Sequence, residues 1–147
     1  YHQRIQRLLN LMVLLSYGVA LPTTVLAPFI IRLFYGAEFS DAAPMLAILM
    51  WAGVWISMGL VRSAVMQSEN RQVLSLQASI LGAVSNVLLN LVLIPPLGGS
   101  GSAIATTVSY GLSAYLSSFL FSPLVEFGKM QTRALIYPNP LGTRHVW

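Results

Sequence analysis

Long apolar runs separated by short polar connections dominate this chain. Four such runs occupy about residues 8–31, 43–66, 73–94 and 103–121. Each is close to the roughly 20 residues that an α-helix needs to cross the hydrocarbon core of a bilayer. The pattern predicts an all-α integral membrane protein with four transmembrane helices in residues 1–121 and a polar tail over residues 122–147.

Composition narrows the classes of function that this chain can have. Hydrophobic residues make up 56% of it and charged residues only 8%, against about 25% charged in ordinary soluble domains. Cysteine is absent, and the two histidines, His2 and His145, stand at opposite ends. The apolar runs hold no paired carboxylates, histidine cluster or phosphate-binding loop. We therefore expect no enzyme activity, catalytic residue, metal site or cofactor.

Basic residues predict the orientation of the spans, because short loops rich in Lys and Arg stay on the cytoplasmic side. With four spans, the termini and the second loop share one side, which carries six basic residues, and the other side carries only Arg32. Both ends are therefore predicted to be cytoplasmic. No basic cluster is interleaved with aromatic residues, so no nucleic-acid partner is expected. The six basic residues are Arg4, Arg7, Arg71, Lys129, Arg133 and Arg144.

Two prolines interrupt the first apolar run. Pro22 and Pro28 lack the backbone N–H that the carbonyls of Gly18 and Thr24 would otherwise accept, which predicts a kinked first helix. One interpretation makes Pro22 a hinge that lets the first span bend. The other is that proline is simply commoner in membrane helices than in soluble ones, with no hinge role.

Small and polar residues form a stripe in each of the last two runs. Asn86 and Asn90 lie one turn apart in the third run. Such stripes let helices approach closely and hydrogen bond in lipid. The asparagines are therefore interpreted either as contacts that hold the bundle together or as contacts to a polar substrate. In the fourth run the stripe consists of Gly101, Ala105, Ser109, Ser113 and Ser117.

One face of the second run carries aromatic rings and a cation. Trp51, Trp55 and Arg62 recur at helical spacing on that face. Indole rings stack on the apolar faces of sugars, and the planar guanidinium of arginine pairs with phosphate. In the alternative interpretation Arg62 extends to the lipid headgroups and Trp51 is a lipid-facing anchor. An ionisable residue inside a span is nevertheless a candidate site.

The connections carry a resemblance to a known family. The first connection reads Y-G-x-x-F-x-x-A from Tyr35 to Ala42, and the third run continues as N-x-x-L-N-x-x-L-I-P-x-x-G-x-x-G-x-A-x-A-T from Asn86 to Thr106. This order and spacing resemble the C-terminal part of bacterial polysaccharide-biosynthesis flippases, within the multidrug/oligosaccharidyl-lipid/polysaccharide exporter superfamily. The resemblance covers about residues 8–121.

The resemblance implies a role in transport. It implies that the chain is part of the second helical bundle of a larger two-bundle transporter in the bacterial cytoplasmic membrane. That transporter would flip a polyprenyl-pyrophosphate-linked oligosaccharide by alternating access, and its missing N-terminal helices and membrane lipids would be partners of this chain. Our own hypothesis is that Arg62 contacts the pyrophosphate and that Trp55 and Asn86 contact sugars, with Asn90 as a further candidate for substrate binding.

Two other interpretations remain open. A multidrug or cation antiporter of the same superfamily would be expected to carry an acidic residue inside a span, whereas all four acidic residues lie outside the apolar runs. A small four-helix scaffold without transport activity is the second alternative. Because the first residue is Tyr1 rather than Met, we also expect a fragment of a longer polypeptide.

Overall fold

The computed structural model describes residues 1–139, and every regular element in that range is a helix or a helical turn. The long helices are α1 (His2–Phe34), α2 (Ala42–Ser68) and α3 (Gln72–Leu97). A fourth long segment consists of α4 (Gly99–Gly111), a π-helical turn (Leu112–Leu116) and α5 (Ser117–Leu120). Short 3₁₀ turns at Ala37–Phe39 and Ser122–Leu124 precede α2 and the last helix, α6 (Val125–Ile136). The predicted tail residues 140–147, with Arg144 and His145, lie outside the described range.

The predicted all-α membrane fold is confirmed. By length and composition, α1, α2 and α3 are each able to cross a membrane. The segment Gly99–Leu120 meets the same criterion together with Ser122–Ile136, from which it is bent by 101°. The described residues therefore contain three spanning helices, or four if the bent pair forms one span.

Prolines lie inside two of the long helices, α1 and α3, and the predicted kink in α1 stays a prediction. Pro22 and Pro28 both lie inside α1, which stays helical from His2 to Phe34. Pro95 and Pro96 follow the predicted third run, residues 73–94, but lie in the last turn of α3. Proline is tolerated in membrane helices where neighbouring groups satisfy the freed carbonyls.

Glycine makes the corner between α3 and α4 possible. Gly98 alone separates the two helices and has φ 58° and ψ −134°, a conformation that residues with a Cβ rarely adopt. Gly101 lies so close to the end of α3 that an added Cβ would stand 2.1 Å from the carbonyl oxygen of Leu93. The two long helices therefore leave this corner in close contact, and α4 packs along α3.

The helices form two packed pairs that are joined through α2. Helix α1 packs on α2, α3 packs on α4, and α2 also packs on α4 and on the π-helical turn. The largest buried cluster lies where α1, α2 and α6 meet. Its buried members are Ile5, Leu9, Val13, Met58, Val61, Phe127 and Ala134.

Helix α6 is a feature that the sequence analysis missed. It folds back across the bundle and contacts α1, α5 and the π-helical turn. Phe127, Gln131 and Ala134 are buried on its inner face, while Glu126 and Lys129 form an exposed ion pair at 3.7 Å. The predicted polar tail therefore begins with an amphipathic helix that closes one side of the bundle.

Candidate functional site

Arg62 is buried between α2 and the fourth long segment. Its side chain is 2% exposed, and its Nη1 donates hydrogen bonds to the carbonyl oxygen of Ser113 and to Oγ of Ser117. The Ser117 hydroxyl in turn donates to the same Ser113 carbonyl. The Arg62 Nε has no partner among residues 1–139. In this conformation the Arg62 guanidinium therefore links α2 to the fourth segment.

The acceptor of Arg62 lies in the π-helical turn. Such turns are rare and are frequent at functional sites. Two consecutive carbonyls of this turn bind side chains from other helices. The Ser113 oxygen accepts from Arg62, and the Ala114 oxygen accepts from Nε2 of Gln131 at 2.8 Å. Helices α2 and α6 therefore hold the turn together.

Trp55 belongs to the same interface. Its ring lies 5.7 Å from that of Tyr115, and its nearest atom is 3.5 Å from the position that a Cβ at Gly111 would take. The Tyr115 hydroxyl lies 2.9 Å from Oγ1 of Thr132 on α6. Trp51, one turn earlier on α2, is 36% exposed and donates from Nε1 to Oγ1 of Thr24 at 3.2 Å. Trp55 is thus packed inside the bundle in this conformation.

Asn86 and Asn90 lie on the opposite side of the fourth segment. Nδ2 of Asn90 donates to the backbone oxygen of Asn86 at 2.8 Å and to its Oδ1 at 2.9 Å. Nδ2 of Asn86 donates to Oγ1 of Thr106 on α4 at 3.4 Å. The Oδ1 of Asn90 is buried and has no partner within residues 1–139. The geometry is consistent with both interpretations, bundle contact and substrate contact. Asn86 joins α3 to α4 and also lines a pocket.

That pocket is an open groove between α3 and α4 with a volume of about 380 Å³. It lies near the midpoints of α3 and of the fourth long segment, so it is at the depth of the bilayer centre if both span it. Six of its eight lining residues carry a hydroxyl or an amide, and none carries a charge. The lining residues are Ser79, Gly82, Ala83, Asn86, Thr106, Ser109, Tyr110 and Ser113.

The predicted site residues thus fall into two groups. Asn86 lines the pocket and Asn90 bonds to it, whereas Trp55 and Arg62 lie in the interface of α2 with the fourth segment. Ser113 belongs to both groups, because it lines the pocket and its carbonyl accepts from Arg62. The contact of Arg62 with phosphate and the hinge at Pro22 stay predictions.

Two contributors were missed, although the sequence carried signals for both. Gln131 lies in the middle of α6, and the apolar residues Phe127, Met130 and Ala134 around it recur at helical spacing. Tyr110 lies one residue from the predicted small-residue stripe of the fourth run and lines the pocket. Among residues 1–139, no three His, Asp or Glu side chains are grouped so that they could hold a metal ion.

Fold and site together define an all-α membrane protein with several spans and a polar groove between α3 and the fourth long segment. Two archaeal proteins are similar to it. The probable low-salt glycan biosynthesis flippase Agl15 of Haloferax volcanii is 31% identical over 96 residues, which cover 62% of this chain and 20% of the flippase. An uncharacterized membrane protein of Methanocaldococcus jannaschii, MJ1068, is 25% identical over 97 residues, which cover 66% of this chain and 19% of that protein.

The chain therefore spans about a fifth of the length of the curated relatives that it matches. No protein-family model matches the chain, and no solved structure matches it. The similarity supports a flippase-like membrane protein.

Proposed function

We propose that this chain forms part of a membrane translocase that moves a lipid-linked glycan from one leaflet to the other. The observation that carries the proposal is the 31% identity to a protein named as a probable glycan biosynthesis flippase. A polyprenyl-pyrophosphate-linked oligosaccharide as substrate, outward transport and a bacterial cytoplasmic membrane with both chain ends cytoplasmic belong to the same proposal.

The physical task of such a protein is to shield a polar headgroup from hydrocarbon. Exposing charged or polar groups to the bilayer core costs several kcal/mol per group. A groove that offers hydroxyls and amides at that depth lowers this barrier, since the headgroup exchanges its bonds to water for bonds to protein. The α3–α4 groove supports the proposal because its lining has that chemistry.

The proposed contacts with the substrate differ in whether the protein has to change conformation to make them. Asn86 already lines the groove, and Asn90 holds its amide in place. Arg62 contacts a phosphate only after its guanidinium leaves Ser113 and Ser117, and Trp55 contacts a sugar only after Tyr115 separates from it. Bending of α1 at Pro22 is the proposed motion that opens this inner face.

The path itself needs more protein than this chain contains. Because the matched relatives are about five times as long as the matched region, we propose that the remaining helices of the same transporter complete the cavity. In this proposal the chain contributes one wall, which consists of α3 and α4.

The test is complementation of transport in cells. The complete reading frame that encodes this chain is expressed in a strain lacking its own glycan flippase, and cell-surface glycan is quantified together with the lipid-linked intermediate. The proposal expects surface glycan to return and the intermediate to fall. A strain that keeps accumulating the intermediate, with the protein present in the membrane at normal levels, contradicts it.

A further inference from the structure

The α3–α4 groove is polar at a depth where lipid offers no hydrogen bonds. At about 1.5 Å of rise per residue, Ser79 and Asn86 lie about 10 and 21 Å from the start of α3 at Gln72. Ser79 and Ser109 donate to carbonyls of their own helices and Asn86 donates to Thr106, but the hydroxyl and amide oxygens keep acceptor capacity that hydrocarbon cannot use. The groove is therefore suited to a group that forms hydrogen bonds.

The lining selects the chemistry of that group. The hydroxyl of Thr106 and the amide of Asn86 offer both donors and acceptors, whereas the buried Ser109 hydroxyl donates to the Ala105 carbonyl and keeps only acceptor capacity. None of the lining residues is charged. The bond from Asn86 to Thr106 measures 3.4 Å, compared with about 2.9 Å for an ordinary N–H···O bond, so both groups keep capacity for a closer partner. The aromatic ring of Tyr110 also lines the groove and is 43% exposed.

We propose that this groove is a binding site for one uncharged, polyhydroxylated ring of the glycan. The proposal rests on the function proposed above and assigns the sugar, not the phosphate, to this wall of the cavity. Sugar hydroxyls both donate and accept, and an aromatic ring stacks on the apolar face of a sugar. A volume of about 380 Å³ is at the low end of small-molecule pockets, about 300–1,000 Å³, and suits a single ring.

Phosphate does not suit the groove. The nearest candidate cation, Arg62, bonds to the Ser113 carbonyl and to Ser117 from the α2 side and does not line the groove. A phosphate bound here would leave its charge unpaired at the bilayer centre, which is strongly unfavourable. The ring proposed for the groove would thus lie on the opposite side of the fourth segment from Arg62.

Asn90 acts as a positioning residue for this site. It donates both to the backbone oxygen and to the side-chain oxygen of Asn86. These two bonds fix the Asn86 amide so that its Nδ2 points towards Thr106. Replacing Asn90 should therefore weaken binding through Asn86, and the Asn86→Leu, Asn90→Leu double variant should bind no more weakly than Asn86→Leu alone.

The test compares two lipids that differ only in the sugar. The complete protein that contains this chain is purified in lipid nanodiscs with labelled alanine and threonine methyl groups, and a short-chain prenyl phosphate is titrated with and without an attached neutral hexose. The sugar-bearing lipid should shift the methyl resonances of Ala83 and Thr106 in a saturable way, whereas the bare lipid should leave them unchanged. Ala52, buried on α2, is the internal control.

Variants keep the result specific to the groove. Asn86→Leu and the nearly isosteric Thr106→Val should each weaken sugar-dependent binding about tenfold, the effect of losing one well-formed hydrogen bond. Ser16→Ala is the control, because its hydroxyl bonds to Ser57 in the α1–α2 interface. Equal shifts with both lipids, or no shift with either, overturn the proposal; the second result would indicate that another helix occupies the groove.

Failure of the sugar site and failure of the proposed function give different results. If the protein binds the sugar-bearing lipid but does not restore surface glycan, the sugar site is supported and the translocase function is contradicted. If surface glycan is restored and the Thr106→Val variant is fully active, the translocase function is supported and the sugar site is contradicted.

Discussion

Arg62 on α2 binds the backbone oxygen of Ser113, a residue that also lines the polar groove between α3 and α4. The buried cation and the uncharged groove are therefore separated by one residue of the fourth segment. That residue lies in a π-helical turn, where a carbonyl is available to a side chain from another helix. The buried Arg62 and the uncharged groove therefore lie on two sides of the same helical segment.

Removing the second acceptor of Arg62 should destabilise the bundle. Ser117→Ala leaves the Arg62 guanidinium with the Ser113 carbonyl alone. A hydrogen bond to a charged group contributes about 1.5–3 kcal/mol, so we expect a loss of that size in the free energy of unfolding in mixed micelles. Ser79→Ala is the control, since that exposed hydroxyl bonds only to its own helix, and should change stability by less than about 0.5 kcal/mol. Equal effects of the two substitutions would contradict the assigned role.

Helix α6 should depend on Gln131. Gln131→Leu removes the bond to the Ala114 carbonyl, which is then left buried without that donor. We expect a loss of about 1–3 kcal/mol in the free energy of unfolding and faster amide exchange in residues 125–136. Gln77→Leu, on the exposed face of α3, is the matched control. Unchanged exchange in α6 would show that this contact does not hold the helix.

The packing of α2 on the π-helical turn predicts a disulfide. A Cβ at Gly59 would lie 3.3 Å from the Cβ of Ala114, close to the roughly 3.5–4.5 Å of protein disulfides. The chain has no cysteine of its own, so a Gly59→Cys, Ala114→Cys pair should lose both free thiols on mild oxidation. Gly53→Cys with Ala114→Cys should keep them, because nothing lies within 4 Å of a Cβ at Gly53. The opposite labelling pattern would mean that α2 is placed wrongly.

The crossing of α3 and α4 should be sensitive to a single methyl group. A Cβ at Gly82 would lie 2.7 Å from the Cβ of Ser113, so Gly82→Ala forces the helices apart, at a cost of about 1–3 kcal/mol. Ser113→Gly removes the opposing group and alone costs about 0.5–1 kcal/mol, as glycine does inside a helix. The double variant should therefore be more stable than the sum of the single effects implies, by unfolding in micelles. Strict additivity would show that the two positions do not touch.

The periodicity of the sequence predicted where the long helices lie better than it predicted which residues join them. The four apolar runs lie within the four long helical segments, because spans need long apolar stretches whatever they pack against. The stripe of small residues likewise marked the face of the fourth segment that packs, with Gly101, Ala105 and Ser109 buried. Both signals are contained within single helices.

The contacts of the candidate site depend on how the helices pack on one another, and periodicity within a single sequence does not reveal that packing. The bond from Arg62 to Ser113 joins positions 51 residues apart, and its acceptor lies in a π-helical turn that no sequence pattern predicted. Helix α6 was missed because it is only 12 residues long and its outer face is charged. The predicted third run ends before Pro95 and Pro96 because proline usually ends helices, yet α3 continues through both to Leu97.

The most direct measurement is translocation in proteoliposomes that contain the complete protein encoded by this reading frame. A short-chain prenyl pyrophosphate carrying a fluorescent oligosaccharide is placed in one leaflet, and its arrival in the other is followed by quenching. We expect movement that needs the protein and that Asn86→Leu slows about tenfold, as expected from one lost hydrogen bond to the moving group. Movement at the protein-free rate, with the protein folded and inserted, would contradict the proposed translocase.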